Sequence, residues 1–193
     1  MMGSLVIMKA KVNKVTIQIN HGDVYSAGTV AIVVQTNSDL ELSETLLAKA
    51  GPNILRETSL IGWCDVGSAV MTGKGTLPDP IEKVLHVVGP RWGEGSERGK
   101  LAGATFECLR LAEANRLKSL AFPPISTGAL GYPLENCAKT MIGQVIDFTF
   151  EELKALSKVI FCLEDDVAFE IFKREFSAQL NELKANGDGK VQV

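Results

Sequence analysis

The chain has 193 residues, of which 46% are hydrophobic and 22% charged, and its net charge is −3. That composition excludes wholesale disorder, and the length suits one domain able to bury its own core. The acidic balance, 20 Lys and Arg against 23 Asp and Glu, argues against a direct nucleic-acid surface, which needs a basic excess. Cys64, Cys108, Cys137 and Cys162 are scattered without a C-x-x-C pair, and His21 and His86 do not complete a zinc set. They read as reduced thiols of an intracellular protein that requires no metal. No apolar run reaches the length that spans a membrane.

In chain order, Leu5 to Val12 and Lys14 to Ile19 have strand character, and the second alternates polar and apolar residues as a half-buried strand does. Val30 to Val34 is an unbroken β-branched run, the mark of a strand buried on both faces. Ser43 to Ala50 reads as a short helix capped by Ser43 and stopped by Gly51-Pro52, with a second helix over Ile54 to Ile61. Strands follow at Ala69–Thr72 and Val84–Val88, separated by a turn at Leu77 to Pro80. A polar Gly93–Gly99 loop leads to a helical stripe over Leu101 to Asn115, then to a buried strand at Ser119–Phe122. Leu134 to Phe148 is helical, Val159 to Leu163 a strand, and Val167 to Leu183 an amphipathic closing helix.

Strands alternating with helices predict a three-layer α/β/α sandwich around a mixed, mostly parallel sheet. The expected organisation is an N-terminal extension with an edge strand over residues 1–13, one domain over 14–184 and a flexible tail over 185–193. Met1-Met2-Gly3-Ser4 is set aside from the fold reading. Ligands of such sheets sit beyond the C-terminal ends of strands, so the loops after Ile19, Val34, Phe122 and Leu163 matter most.

The loop Pro123 to Pro133 (PPISTGALGYP) follows a buried strand and opens a helix. Ser126, Thr127, Gly128 and Gly131 are small enough to bring backbone N–H groups against an anion, although a plain turn with two glycines has the same composition. Asn37, just past the apolar strand, can bond a sugar hydroxyl with both ends of its amide or serve as an Asx-turn residue. Asp23 carries the same ambiguity between acceptor and turn residue. Glu41 and Glu44 suit a solvated helix start better than a catalytic pair, and His86 inside an apolar strand reads as a core histidine.

Several motifs occur in a characteristic order: Gly22-Asp23-Val24, the apolar strand ending near Asn37, Gly67-Ser68-Ala69 with Thr72, Leu77-Pro78, and Val84 to Trp92 (VLHVVGPRW). Ser119 to Gly128 (SLAFPPISTG) with Gly131-Tyr132-Pro133 completes the series. Over Val15 to Phe176 the chain resembles the macro domain family of ADP-ribose-binding modules. Thr36 to Leu42 and Phe161 to Phe176 look most like macro domains of macro-type histone variants.

The resemblance implies that Asp23 accepts the adenine amino group, with the Val24 N–H beside it. It further implies that Asn37 contacts the distal ribose and that Ser126, Thr127, Gly128, Ala129, Leu130 and Gly131 wrap the diphosphate, with Tyr132 closing the loop. The implied ligand is ADP-ribose, free or on mono-ADP-ribosylated proteins, with chromatin proteins as partners and the nucleus favoured over the cytoplasm.

Three departures stand against the family pattern. The segment from Asn37 to Ser43 lacks the usual Gly-rich wall, it lacks the Asp of the hydrolytic branch, and Glu164 stands where an aromatic often stacks on adenine. Glu41 and Glu44 repel a diphosphate if they face the cleft. The expected function is therefore an ADP-ribose-binding module. The alternatives are an ADP-ribosyl hydrolase or O-acetyl-ADP-ribose deacetylase, with Asn37 positioning the ribose or a water, and a macro fold that has lost its nucleotide and binds proteins.

Overall fold

Ala31 and Val33 on one side of a strand, and Ile32 and Val34 on the other, are all buried, so both faces of the sheet are covered there, as their unbroken apolar run requires. The computed structural model describes residues 5–193, and the opening Met1 to Ser4 lies outside them. The strands are β1 (Leu5–Val12), β2 (Val15–His21), β3 (Ala31–Thr36), β4 (Ser68–Gly73), β5 (Lys83–Val88), β6 (Ser119–Phe122), β7 (Lys158–Leu163) and β8 (Val191–Gln192). They form one sheet in the order β4-β5-β3-β6-β7-β2-β1-β8. The central five, β5, β3, β6, β7 and β2, are mutually parallel. The pairings of β4 with β5, of β1 with β2 and of β8 with β1 are antiparallel.

The helices are α1 (Glu44–Ala50), α2 (Pro52–Ile61), α3 (Glu97–Ala114), α4 (Leu134–Phe148) and α5 (Asp166–Asn186). Leu101 and Cys108 of α3, Met141 and Val145 of α4, and Phe172 and Phe176 of α5 share one core with Ile17, Val33, Phe122 and Phe161. Leu46 and Ala50 of α1 and Ile54 of α2 meet Ile32, Val34, Ala121 and Ile160 across the opposite face. The α/β/α sandwich read from the sequence is the fold observed.

Local chemistry sets the element ends. Ser43 accepts the Leu46 N–H at 3.1 Å and starts α1. Gly51 closes it at φ +74°, donating to Leu47 O, and Pro52 begins α2 two residues before the predicted Ile54, since its fixed φ suits a first helical turn. Asp165 caps α5 by accepting the Ala168 N–H at 2.7 Å.

The chain end differs from the frayed tail expected of it. Val191 and Gln192 pair with Val12 and Lys11, the Asn13 N–H donates to Lys190 O at 2.7 Å, and the Lys190 N–H donates to Asn13 Oδ1. Polar composition suggested fraying, but the unpaired ladder groups of β1 offer that segment a template. β1 is thereby covered over Lys11 and Val12 instead of being an open edge throughout.

His86 is the core histidine its strand implied. It is fully buried, and its Nε2 lies 2.9 Å from Thr72 Oγ1. That hydroxyl donates onward to Gly73 O, so Nε2 carries the proton and donates, while Nδ1 has no partner. Burial pulls the imidazole down to about 4. All four cysteines are free and buried, and burial raises the Cys162 thiol to about 12, far from a reactive thiolate.

Candidate functional site

Because β2, β7, β6, β3 and β5 run parallel, the loops after His21, Leu163, Phe122, Thr36 and Val88 gather along one edge of the sheet. Two adjoining cavities lie there. One of about 390 Å³ is lined by Gln35, Thr36, Asn37, Glu41, Leu42, Ser43, Ser126, Gly128, Ala129 and Leu130. The other, of about 320 Å³, shares Thr36, Asn37 and Leu130 and adds Val66, Val88, Gly89 and Arg91. No Lys or Arg lines the first cavity.

The loop after β6 is held by its own backbone. Ser126 is buried at φ +67°, and its N–H donates to Gln35 Oε1 at 2.7 Å. The Thr127 N–H points to Pro124 O at 3.5 Å, Gly131 donates to Gly128 O at 3.0 Å, and Tyr132 donates to Ser126 O at 2.9 Å. Gly89 presses on this turn so closely that a Cβ there would lie 2.1 Å from Ser126 Oγ. Among the described residues the N–H groups of Gly128, Ala129 and Leu130 donate to no protein acceptor. The same three residues line the first cavity. Of the loop expected to serve as a cradle from Ser126 to Gly131, the N–H groups of Ser126, Thr127 and Gly131 take internal hydrogen bonds. Tyr132 turns away from the cleft: its ring packs edge-on against Trp92 at 5.0 Å, beside a separate cavity toward Arg98 and Lys139.

Asn37 keeps its place at the end of β3, but its amide is engaged. Nδ2 donates to Glu41 Oε2 at 2.6 Å, and Oδ1 accepts the Glu41 N–H at 3.2 Å. Thr36 Oγ1 donates to Glu41 O at 2.7 Å, closing the bend. Leu40 adopts φ +59° and is buried with Cys64 and Val88, while the Cys64 N–H donates to Ser38 O at 3.0 Å. The segment that lacks a Gly-rich wall is therefore a short anchored bend, and Glu41 faces the cleft. Glu44 lies in the first turn of α1, as a solvated helix start.

At the opposite end, the Gly22 N–H donates to Leu163 O at 2.9 Å, which sets Asp23 beside the end of β7. Asp23 accepts the Ser26 N–H at 2.9 Å and caps the 3-10 turn Val24–Ser26, and Val24 is buried against the core that holds Ile32. Tyr25, on the same turn, is half-buried beneath the Lys49 ammonium, 5.1 Å from its ring centre. Burial, then Asp23 and Glu164, raise its phenol to about 12. Glu164 itself is exposed directly after β7. The residues that sequence reasoning missed are Gln35, Tyr25 and Gly89. The signals that point to them are the polar side chain of Gln35 directly after the apolar run Val30 to Val34 and the aromatic Tyr25 two residues beyond Asp23.

The macro domain family model matches residues 36–141, a span running from the end of β3 into α4. A macro domain-containing protein of Caldanaerobacter subterraneus is 34% identical over 173 residues, 84% of this chain and 97% of that protein. The chain belongs to the macro domain family. This macro domain is also 35% identical over 166 residues to O-acetyl-ADP-ribose deacetylase 1 of Pantoea vagans, covering 81% of this chain and 95% of that one. The Oceanobacillus iheyensis macrodomain, in its structure with ADP, superposes with a TM-score of 0.84 at 25% identity, covering 91% and 97% of the two chains. These relatives are bacterial proteins, and they lend no support to the chromatin and nuclear expectation. Among the described residues of this macro domain no His, Cys, Asp and Glu cluster has the makings of a metal site, and no helix is long and apolar enough to cross a membrane.

Proposed function

We propose that this macro domain binds ADP-ribose, free or as the end of a mono-ADP-ribosylated protein. The observation that carries the reading is the open N–H row of Gly128, Ala129 and Leu130 along a cleft at the strand ends. Neutral backbone dipoles hold a diphosphate without basic side chains, which suits an acidic chain. Asn37 lies at one end of that cleft and Asp23 at the same sheet edge beyond the other strands, so distal ribose and adenine have polar partners at opposite ends. The likeness to a macrodomain structure with ADP supports a nucleotide ligand. Calorimetric titration with ADP-ribose tests it: saturable heat is expected, and no heat or competition at millimolar ligand overturns it.

Deacetylation of O-acetyl-ADP-ribose is the second reading, favoured by the name of the Pantoea vagans relative. The segment from Asn37 to Ser43 carries Asp39 and Glu41, but Glu41 is hydrogen-bonded to Asn37 and Asp39 is exposed on the bend. Glu41 is thus engaged, while Asp39 lines the adjoining cavity beside Asn37 from an exposed position, with no hydrogen bond among the described residues to aim it at a water as a general base, a role worth about 10²- to 10⁴-fold in rate. Slow or absent turnover follows. Acetate release at ordinary enzymatic rates, lost in Asn37→Ala, would promote this reading over the first.

A further inference from the structure

We infer that Glu41 is a specificity-determining residue: its carboxylate occupies the Asn37 amide in the unliganded protein and must be displaced by any ligand that needs that amide. The inference rests on the reading of the cleft as an ADP-ribose site. Three hydrogen bonds carry it. Nδ2 of Asn37 donates to the Glu41 carboxylate at 2.6 Å, the Glu41 N–H returns to Asn37 Oδ1, and Thr36 Oγ1 holds the Glu41 carbonyl. Buried Leu40, just before Glu41, anchors the bend against Cys64 and Val88, so the carboxylate is aimed and not merely nearby. An amide bonded to a carboxylate is charge-assisted and stronger than its bond to a neutral sugar hydroxyl.

Two effects follow, and they differ in which ligands they touch. The Glu41 charge lies in a cavity without a cationic lining side chain, so it opposes every diphosphate, with or without a distal ribose. The occupied amide penalises only a ligand that carries the distal ribose. A site whose competent form is populated one-tenth of the time loses about tenfold in apparent affinity. Wild-type protein therefore discriminates poorly between ADP and ADP-ribose, and removing the acceptor that occupies Asn37 Nδ2 restores preference for ADP-ribose.

The test is titration of ADP and of ADP-ribose into wild type, Glu41→Gln and Glu41→Ala at fixed ionic strength. Gln removes the charge but keeps an acceptor for Asn37 Nδ2, so both ligands should tighten by a similar small factor. Ala removes the acceptor as well, so ADP-ribose should tighten to about tenfold over wild type, while ADP gains nothing beyond the Gln variant. In the free protein, the Asn37 side-chain amide resonances should move in Glu41→Ala and stay near their wild-type positions in Glu41→Gln. Equal ADP-ribose affinity in all three proteins, or Asn37 resonances indifferent to Glu41→Ala, overturns the inference while leaving the binding reading intact. Failure of ADP-ribose to bind any of the three overturns the binding reading, and the role of Glu41 falls with it.

Discussion

Ser126 and Gln35 are 91 residues apart in sequence and joined by one hydrogen bond, the Ser126 N–H donating to Gln35 Oε1 at 2.7 Å. The bond ties the loop after β6 to the C-terminal end of β3 and fixes this part of the cleft wall. It also engages the Ser126 N–H, so on the proposed reading the diphosphate falls to Gly128, Ala129 and Leu130. A diphosphate held by three groups instead of a complete ring points to modest affinity. Micromolar or weaker dissociation of ADP-ribose, about −8 kcal/mol at the micromolar end, is the expectation, consistent with about −0.3 kcal/mol per heavy atom.

Gly128 is the position at which to block that row. A Cβ there meets nothing within 4 Å, and its φ lies outside the left-handed region, so Gly128→Glu should fold normally. The added carboxylate fills the phosphate space with like charge. ADP-ribose binding should drop beyond detection while thermal unfolding stays near wild type; unchanged affinity would make this loop a structural turn and nothing more.

Asp23→Ala should weaken ADP-ribose about 10- to 100-fold, the worth of a charge-assisted hydrogen bond. Because Asp23 also caps the Val24–Ser26 turn, the variant should lose about 1 kcal/mol of stability, and affinity is to be measured well below its unfolding temperature. Inosine diphosphate ribose, which lacks the amino group, should bind wild type poorly. Equal binding of the two nucleotides would move the adenine away from Asp23.

Ser126→Gly should stabilise the protein. Ser126 holds a left-handed conformation that costs an L-residue about 1–2 kcal/mol, and its buried hydroxyl has no partner. Against this stands the larger entropy that glycine loses on folding, about 0.5–1 kcal/mol. The net gain of about 1 kcal/mol should raise Tm by about 2–4 °C in calorimetry. A lower Tm would mean that the hydroxyl makes a bond through water.

His86 should make stability depend on pH. Its folded value of about 4 lies below the ordinary 6.5, so between those values the unfolded chain binds the extra proton and stability rises with pH. Above pH 6.5 the group contributes no further change; from 6.5 down to about 4 it removes roughly 3 kcal/mol. Urea unfolding across that window should show the slope in wild type and a flatter one in His86→Gln. Identical slopes in the two proteins would assign the acid sensitivity to other groups.

The sheet and its layers were legible in the sequence because Val30 to Val34, Ser119 to Phe122 and Val159 to Leu163 are apolar enough to demand cover on both faces. The small residues from Ser126 to Gly131 likewise announced a tight loop at a strand end. What stayed hidden depends on side-chain direction. Nothing in the string says that Gln35 reaches from β3 to the loop after neighbouring β6, or that Glu41 folds back on Asn37 over a bend whose Leu40 takes a left-handed conformation. The pairing of Val191 and Gln192 with β1 is hidden for a related reason: it depends on the strand edge they meet, not on their own composition.

Leu40 has a larger effect than its distance from the cleft suggests. By sinking between Cys64 and Val88 it pulls the bend down and leaves a rim where a second loop would stand. On the proposed reading, a diphosphate in this cleft keeps part of its charge within reach of dissolved salt. Selection among related nucleotides then falls to the groups at the two extremities. On the reading that a mono-ADP-ribosylated protein is a ligand, the attached polypeptide would leave the cleft past this bend, and the height at which Leu40 anchors it would set which acceptors fit.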